Sequence, residues 1–389
     1  MSIKYSKIMR FLARGNKTQF DIPVDKQLDY IFKMPEPKND FERSFCQYKA
    51  QMLFVSRIKR LILNMGSLIS LPWLILFSLF RGLFVKEKAQ SIDVIVTPNS
   101  HQGVIPDSVQ REFNITQENV WVNKLSLSSN DIVLIKNILR FLIKSPYFCF
   151  KLLYKLSLYS NITRIYRPKV IIVFNEFSFT SSVLTNFCEL NGVEHIDIMH
   201  GEKLLFIRDS FFRFSRTYVW EKFYVELFDR LRASKNQFIV EIPPFMKIDT
   251  EKNYEKEYFS NYKYYLGEYT EKELKAIILS MTQLTSDGTT IKYRPHPRYS
   301  NLQLLKKYVS ENQIEYPTKV GIMTSVASCN VAIGTYTTVL NQAVHSGKDI
   351  LIDDVNFPYL YKKLYELDYI LLKTNTNRLS EKYDKKYNT

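Results

Sequence analysis

The sequence has little glycine, 11 residues in 389, and it contains no segment of low complexity. Long disordered linkers are therefore not expected, because such linkers are rich in glycine, serine or charge and poor in apolar side chains. Apolar residues make up 46% of the chain and aromatic residues 14%, which is enough to fill more than one hydrophobic core. Since a chain of this length usually divides, we expect a folded protein of two domains.

Cysteine is also scarce. The four cysteines lie far apart, none belongs to a CxxC pair, and none has a histidine at the spacing of metal ligands. We expect Cys46, Cys149, Cys188 and Cys329 to be reduced, buried thiols of a cytoplasmic protein, and we expect no zinc site.

Acidic residues are fewer than basic ones. The chain has 54 Lys and Arg against 39 Asp and Glu, a net charge of +15, and its pI is about 9.3. This excess favours an anionic partner, either a nucleotide or phosphate substrate, a membrane surface or a nucleic acid. Nucleic acid is not expected, because the lysines are spread along the chain and no recognisable binding module is present.

A secretory signal is not expected, since residues 1–20 are basic but lack an apolar core followed by a cleavage site. Residues 61–80 carry no charge and would just span a bilayer, although Asn64, Gly66 and Pro72 weaken that pattern. A buried or interfacial helical pair is favoured there, and a transmembrane span is the alternative. Residues 134–160 mix basic and large apolar side chains, which fits a helix on an anionic membrane or an ordinary amphipathic helix. We therefore expect a cytoplasmic protein that associates peripherally with the inner membrane.

From about residue 91, apolar strands alternate with amphipathic helices, which predicts parallel sheets covered on both faces. Residues 245–262 are polar and lack periodicity, so we place a domain boundary at about residue 250. The prediction is a helical, basic and aromatic N-terminal region (1–90) and two doubly wound α/β domains (91–250 and 251–389) that face one another across a cleft. Strands are predicted within 91–100, 169–178, 193–203, 216–220, 237–244, 262–269, 289–298, 330–336 and 348–354.

Ligands of such sheets bind beyond the carboxyl ends of the strands, so polar residues at those ends are candidate site residues. In the second domain, "YRPHPR" places His296 between two prolines, with Arg294 and Arg298 on either side. The prolines stiffen the backbone, so that the imidazole is held in one direction, and the arginines add positive charge. We interpret Arg294, His296, Pro297 and Arg298 as a phosphate-binding segment, against the alternative of a rigid surface turn.

The later segment "GTYTT" passes from a strand that ends at Gly334 into a helix that begins near Thr337. Backbone N–H groups at that helix start, with the hydroxyls of Thr337 and Thr338, can cradle a phosphate. Threonines are also ordinary N-cap residues, so the segment alone does not decide between the two roles.

In the first domain, His200 follows a strand and precedes Gly201, which fits a general base that another group can approach closely. Glu176, at the end of the preceding strand, is the alternative base. Glu202 and Lys203 are weaker candidates for steering an acceptor or a phosphate.

The combination of "YRPHPR", the "GTYTT" segment and the tandem α/β layout resembles the bacterial sialyltransferases and polysialyltransferases of the GT-B fold. The resemblance implies that His296 with Pro297, and Thr337 with Thr338, contact the phosphate of a CMP-sugar donor. The family's acidic-acidic-glycine motif has no clean counterpart here. The His-Gly of "MHG" is similar instead to teichoic-acid glycerophosphotransferases and capsule-type transferases that also use cytidine nucleotides.

The resemblance implies an inverting transfer in which His200 or Glu176 deprotonates an acceptor hydroxyl, which attacks the anomeric carbon as CMP leaves. Its setting would be the synthesis of a bacterial surface polysaccharide (lipopolysaccharide, O-antigen or capsule), with an acceptor glycan that is often lipid-linked. No cofactor and no metal are expected, because a nucleoside monophosphate needs less neutralisation than a diphosphate. Asp353 and Asp354 are the nearest acidic pair, and they fit a structural role equally well.

Three alternatives to a CMP-sugar transferase stay open. The protein could be a CDP-glycerol-type glycerophosphotransferase or a transferase that uses another nucleotide-sugar. It could also be a non-catalytic scaffold of a polysaccharide assembly complex.

Overall fold

The structure is a computed structural model of the chain. It describes residues 16–85, 92–96, 103–113, 115, 124–248, 256–285, 288–373 and 377–387. The basic N-terminal stretch 1–15 and the end of the first predicted strand, 97–100, lie outside the described residues.

The chain divides into two compact units. The first comprises Met1–His200 and Leu205–Glu241, and the second comprises Gly201–Leu204 and Ile242–Thr389. The main break therefore falls after Glu241, a few residues before the predicted boundary. The N-terminal helices belong to the first unit, and they are bonded to it: Arg232 donates to the carbonyl groups of Ile31 and Met34 at 2.6 and 2.8 Å.

The first unit is built on a five-stranded parallel sheet in the order β1-β2-β3-β4-β5. Its inner strand β2 reads VIIV and is buried at all four positions, as expected of a parallel sheet covered by helices. The strands are β1 (Val94–Val96), β2 (Val170–Val173), β3 (Glu194–Ile198), β4 (Arg216–Val219) and β5 (Phe238–Val240). The helices are α1 (Val24–Phe32), α2 (Asp40–Met52), α3 (Arg57–Gly82), α4 (Asp107–Glu112), α5 (Ile132–Leu139), α6 (Pro146–Tyr166), α7 (Ser181–Leu190) and α8 (Lys222–Arg230).

The second unit is built on a four-stranded parallel sheet in the order β7-β6-β8-β9. The chain leaves β6 toward β7 on one side and later returns to β8 on the other, so the direction of winding reverses between β6 and β8. The strands are β6 (Ser260–Leu266), β7 (Ile291–Pro295), β8 (Cys329–Gly334) and β9 (Asp349–Ile352). The helices are α9 (Glu271–Leu284), α10 (Leu302–Leu305), α11 (Ile322–Ala327), α12 (Thr338–His345), α13 (Pro358–Glu366) and α14 (Leu379–Tyr387).

The prediction of two α/β domains with parallel sheets is confirmed by these two sheets. The winding reverses in the second sheet, whereas the strands of the first follow one another in chain order. The sequence "TEKELKAIILSMTQL" predicts a helix with Thr270 as its N-cap, and in α9 Thr270 and Glu273 do form a reciprocal capping box. The sequence "NLQLLKKYVSEN" (301–312) predicts a longer helix than the structure has. Helix α10 covers only Leu302–Leu305, and Ser310 caps a separate 3-10 turn with Gln313. All four cysteines are free and buried, as the sequence predicts.

Candidate functional site

A cavity of about 520 Å³ lies at the carboxyl ends of β6, β7 and β8, where the winding of the second unit reverses. This is the position at which open α/β sheets bind ligands. The cavity belongs wholly to the second unit. Its lining residues are Gly201, Glu202, Tyr265, Leu266, Gly267, Glu268, His296, Tyr299, Thr335, Tyr336, Thr337 and Thr338.

His296 enters this cavity directly after β7. Its backbone N–H lies 3.1 Å from the carbonyl oxygen of Leu266 and 2.8 Å from the hydroxyl oxygen of Ser300, which fixes the turn against the end of β6. Its Nδ1 accepts a hydrogen bond of 3.1 Å from the backbone N–H of Arg298. The neutral ring therefore carries its proton on Nε2, which is free to donate to a ligand.

The surroundings of His296 favour its neutral imidazole near pH 7. Burial, and then the positive charge of Arg298, lower its pKa below the ordinary value. The ring of Tyr299 stacks on it with a centroid distance of 4.5 Å. Pro297 and Arg298 are exposed and do not line the cavity, so they shape and polarise the turn without forming its wall.

Arg294 does not line the cavity either. Its side chain is buried, and it donates to Glu315 Oε1 at 2.7 Å and to the carbonyl oxygen of Val320 at 2.9 Å. The same carboxylate accepts a hydrogen bond of 2.6 Å from Lys263 Nζ. Arg294 is thus committed to the core of the second unit and supports the strand that carries His296, which departs from the predicted contact with phosphate.

The second wall of the cavity is the passage from β8 to α12. Thr337 is the N-cap of α12, where its Oγ1 accepts a hydrogen bond of 3.3 Å from the backbone N–H of Val339, and Thr338 is the first helical residue. Gly334 ends β8, and a Cβ there would lie 3.4 Å from the carbonyl oxygen of Tyr265, so the two strand ends approach closely. The helix start supplies N–H groups and the positive end of its dipole.

Acidic and aromatic residues complete the lining. Asn341 donates to the carboxylate of Glu202, and the Tyr336 hydroxyl donates to the Glu202 carbonyl oxygen at 3.3 Å. Among the described residues that line the cavity, none is lysine or arginine. The cavity therefore offers one neutral imidazole, three threonine hydroxyls and a helix start to an anion.

Sequence reasoning missed Tyr265, Glu268, Tyr299, Thr335 and Tyr336 as lining residues. Each of them follows or ends a strand at the same edge of the sheet as His296. Their positions in the sequence carried the signal, but tyrosine at a strand end has no distinctive chemistry on which to select it.

The candidate bases lie in the first unit. His200 is half-buried two residues after β3, and its ring meets the edge of Phe174 at a centroid distance of 5.7 Å. Glu176 is only 1% exposed, and its main-chain oxygen accepts a hydrogen bond of 2.9 Å from Gln47 Nε2. Of the two candidates, His200 is therefore the more accessible.

Asp197 is a further buried carboxyl of this region that the sequence did not single out. Its Oδ1 accepts a hydrogen bond of 2.7 Å from the backbone N–H of Asn175. Burial raises the pKa of Asp197 to about 8, so the group is largely protonated near neutrality. Its charge state is set by the protein interior, because the residue has no exposed surface.

Asp353 has a structural role. It accepts hydrogen bonds from Tyr264 and from the backbone N–H groups of Val355 and Asn356, at 3.1 and 2.8 Å for the latter two. Asp354 accepts hydrogen bonds from the backbone and the hydroxyl of Ser380. Across the described part of the chain, no group of three or more His, Cys, Asp or Glu side chains is placed to hold a metal ion.

Comparison with known proteins finds no matching family model and no matching curated protein. Among solved structures, the wall teichoic acid polymerase TagF (H444N variant) matches with 11% identity over 86% of this chain and 93% of that chain, at a TM-score of 0.41. Anabaena Alr3699/HepE in complex with UDP and glucose matches with 9% identity over 68% and 83%, at 0.33. The glycotransferase of kitacinnamycin matches with 8% identity over 66% and 72%, at 0.36. With identities of 8–11% and TM-scores below 0.5, these matches assign no role to any residue of this chain.

Proposed function

We propose that this protein is an inverting glycosyltransferase of the GT-B type that transfers sialic acid, or a related CMP-activated sugar, to an acceptor glycan of a bacterial surface polysaccharide. The observation that carries the proposal is the cavity of the second unit, where His296, Thr337 and Thr338 meet at the reversal of winding. Hydroxyls and N–H groups at a helix start are typical of a phosphate site.

The charge of the lining supports a monophosphate donor. A CMP-sugar presents one phosphate charge to the site, whereas a UDP-sugar or CDP-glycerol presents two. The described lining provides no lysine or arginine, and it includes the carboxyl side chains of Glu202 and Glu268. A diphosphate would be poorly neutralised there, while a single phosphodiester can be bound by a helix start and neutral donors.

In the proposed reaction, the acceptor O–H bond breaks and its proton passes to the base, while the acceptor oxygen forms a bond to the anomeric carbon. The bond from that carbon to the phosphate oxygen breaks at the same time, and CMP leaves with the electron pair. Nε2–H of His296 and the hydroxyls of Thr337 and Thr338 donate to the phosphate as its charge grows. Donors that are already oriented stabilise this charge without the reorganisation that water would require.

We propose His200 as the base, with Glu176 as the alternative. His200 is partly exposed, whereas the carboxyl of Glu176 is enclosed. A histidine also has an ordinary pKa close to neutrality, as a general base requires.

The donor is tested by thermal unfolding of the protein with CMP, CDP, UDP and GDP. A ligand at about 100 times its dissociation constant stabilises the folded state by roughly 2.7 kcal/mol, so CMP should raise the midpoint clearly. Thr338→Val removes a lining hydroxyl but not the N-cap, and should reduce the CMP shift. Thr282→Val is the matched control, because Thr282 is exposed on α9 and does not line the cavity.

A larger shift with CDP would replace this proposal by glycerophosphate transfer, and a preference for UDP or GDP would replace it by another nucleotide-sugar transferase. The absence of any shift, or an equal loss in Thr282→Val, would remove the cavity as the donor site.

The base is tested by measuring CMP release from CMP-sialic acid with an acceptor glycan. His200→Ala should keep the CMP-induced thermal shift and lose turnover, whereas Glu176→Gln should retain most of the turnover. If His200→Ala transfers normally, His200 is not the base. If both variants keep the cellular role of the protein without any turnover, the protein is a scaffold.

A further inference from the structure

Helix α3 exposes most of its large apolar residues and buries mainly small or polar ones, which is the reverse of an ordinary surface helix. It is 26 residues long, and it is the one helix of the described chain that has the length and composition to cross a membrane. Its buried positions are Lys59, Ser67, Leu71, Leu74, Ser78 and Gly82, of which only two are large apolar residues. Its exposed positions include Ile58, Leu61, Ile62, Met65, Leu68, Ile69, Trp73, Leu76, Phe77 and Phe80. A continuous apolar surface of this size on a folded protein indicates a site of interaction.

The inner face of α3 is held to the first unit along much of its length. Asn64 Oδ1 accepts a hydrogen bond of 3.1 Å from the backbone N–H of Tyr147, at the start of α6. The carbonyl oxygen of Ser78 accepts one of 2.9 Å from the backbone N–H of Leu127, and that of Gly82 accepts one of 3.0 Å from Arg164 Nη2. A transmembrane position would break these bonds and expose polar groups to hydrocarbon, where they find no other hydrogen-bond partner.

The charged residues of α3 and of its neighbour α6 are all basic. Helix α3 contains basic residues and no acidic ones, and α6, against which it packs, lies in a stretch from Ile132 to Lys169 with the same property. The basic residues that are exposed are Arg57 in α3, and Lys136, Arg140, Lys144, Arg167 and Lys169 in the second stretch, of which Lys169 pairs with Asp93. Anionic lipid headgroups complement this charge, whereas a second copy of the same surface would repel it.

We propose that α3 lies in the plane of an anionic lipid monolayer, with its outer face among the acyl chains near the headgroups and its inner face still bonded to the protein. Its length of about 39 Å, at roughly 1.5 Å per residue, would then run along the membrane surface. The side chains at 58, 61, 65, 69, 73, 76 and 80 would supply the apolar contact. This inference does not depend on the reaction proposed above.

Binding is tested by flotation of the full chain with vesicles, comparing phosphatidylcholine alone with an equimolar mixture of phosphatidylcholine and phosphatidylglycerol. The protein should float with the anionic vesicles, and more weakly as salt is raised. Leu76→Glu should lower the partition coefficient about tenfold or more, because a buried leucine is worth roughly 1.5–3 kcal/mol and a charge is disfavoured at that depth. Leu279→Glu is the matched control, since Leu76 and Leu279 are both 62% exposed and Leu279 lies on α9.

The depth of α3 in the lipid is tested by tryptophan fluorescence. Trp73 is 74% exposed and Trp220 only 2%, so a blue shift on vesicle binding that disappears in Trp73→Phe reports the outer face of α3. Brominated lipids should quench Trp73 most strongly when the bromine lies near the headgroups. Strongest quenching at the bilayer centre would overturn the in-plane position in favour of a span.

Two results would overturn the proposal entirely. One is that Leu76→Glu and Leu279→Glu bind vesicles equally. The other is that the wild type stays in solution with anionic vesicles while light scattering shows a dimer that Leu76→Glu converts to a monomer, since a second copy would then cover α3.

Discussion

The buried carboxylate of Glu315 holds together the strands that position His296, and its removal should destabilise the second unit strongly. Glu315 is 3% exposed, and it binds Lys263 Nζ on β6 at 2.6 Å and Arg294 Nη1 on β7 at 2.7 Å. Glu315→Gln keeps the size and one acceptor oxygen, and it removes the charge. Lys263 and Arg294, which are both buried, would then lack their shared anion.

The size of the destabilisation in Glu315→Gln follows from these contacts. Removing one partner of a buried ion pair usually costs about 3–5 kcal/mol, because the other charge is left without compensation. Lys263 keeps hydrogen bonds to the Ser325 carbonyl oxygen and to Ser328 Oγ, at 2.8 and 3.1 Å, so we expect the lower part of that range. For a domain of this size, about 3 kcal/mol lowers the unfolding midpoint by roughly 6–12 °C.

The assay is thermal and urea unfolding of the full chain, followed by circular dichroism. Glu311→Gln is the control, because Glu311 is largely exposed and its ion pair with Lys306 is long, at 3.8 Å. Burial by itself raises the pKa of Glu315, but Lys263, Ser325 and Arg294 outweigh it and hold the pKa below its ordinary value. The stability that the carboxylate provides is therefore present above the ordinary pKa of 4.5 and is lost as the pH falls through the folded-state pKa.

The gap between wild type and Glu315→Gln should accordingly close in acid. A midpoint for Glu315→Gln within a degree or two of Glu311→Gln at neutral pH would refute the reasoning. So would a gap that persists unchanged at the most acidic pH at which both proteins still fold.

Two further sets of substitutions test the packing and the buried charge of the first unit. Burial raises the pKa of Asp197 to about 8 in the folded protein from an ordinary 3.8, so the stability that the protonated carboxyl provides is complete below the ordinary pKa and is lost as the pH rises through about 8. In urea unfolding from pH 5 to 9, the free energy of unfolding of Asp197→Asn should therefore rise relative to that of the wild type as the pH rises. A difference that stays constant over this range would contradict the assignment. In α3, a Cβ at Gly82 would lie 1.9 Å from the backbone oxygen of Leu127, whereas one at Gly66 meets nothing within 4 Å. Gly66→Ala should therefore stabilise the protein by about 0.5–1 kcal/mol, and Gly82→Ala should destabilise it. Similar unfolding midpoints for the two variants would mean that α3 does not pack as described.

The layout of the second unit could be predicted because its local signals agree with one another. The capping box at Thr270 and Glu273, the apolar strand before Gly334 and the hydroxyls at Thr337 all stand in the order that a strand–helix alternation requires. The rule that ligands bind at the carboxyl ends of strands then selected His296 without knowledge of its neighbours.

The role of Arg294 could not be predicted in the same way. Its partner Glu315 follows 21 residues later, beyond a short helix and an irregular connection, and no local pattern links the two. An arginine next to a candidate phosphate-binding histidine looks like a ligand contact until its partner is known. The burial of Arg294 is a consequence of the pairing of β6 with β7, which only the folded chain provides.

The orientation of α3 was also open in the sequence. Composition describes an uncharged segment but does not say which face is packed. The choice is made by small and polar residues on one face, Asn64, Ser78 and Gly82, which meet specific groups of Tyr147, Leu127 and Arg164. This places the large apolar residues outside, contrary to the usual arrangement of a soluble helix.

Under the two proposals above, the net charge of +15 would serve a membrane surface more than the nucleotide. The described lining of the cavity contains neither lysine nor arginine, so the phosphate contacts proposed above are neutral donors. Residues 57–82 and 132–169 hold twelve basic residues and no acidic one, and they include the helix with the apolar outer face. Screening by salt should therefore weaken the binding of anionic vesicles steeply while it changes CMP binding little, because neutral donors hold the phosphate. Equal salt sensitivity of the two would mean that cations outside the cavity attract the donor, and the charge would then have to be divided between both partners.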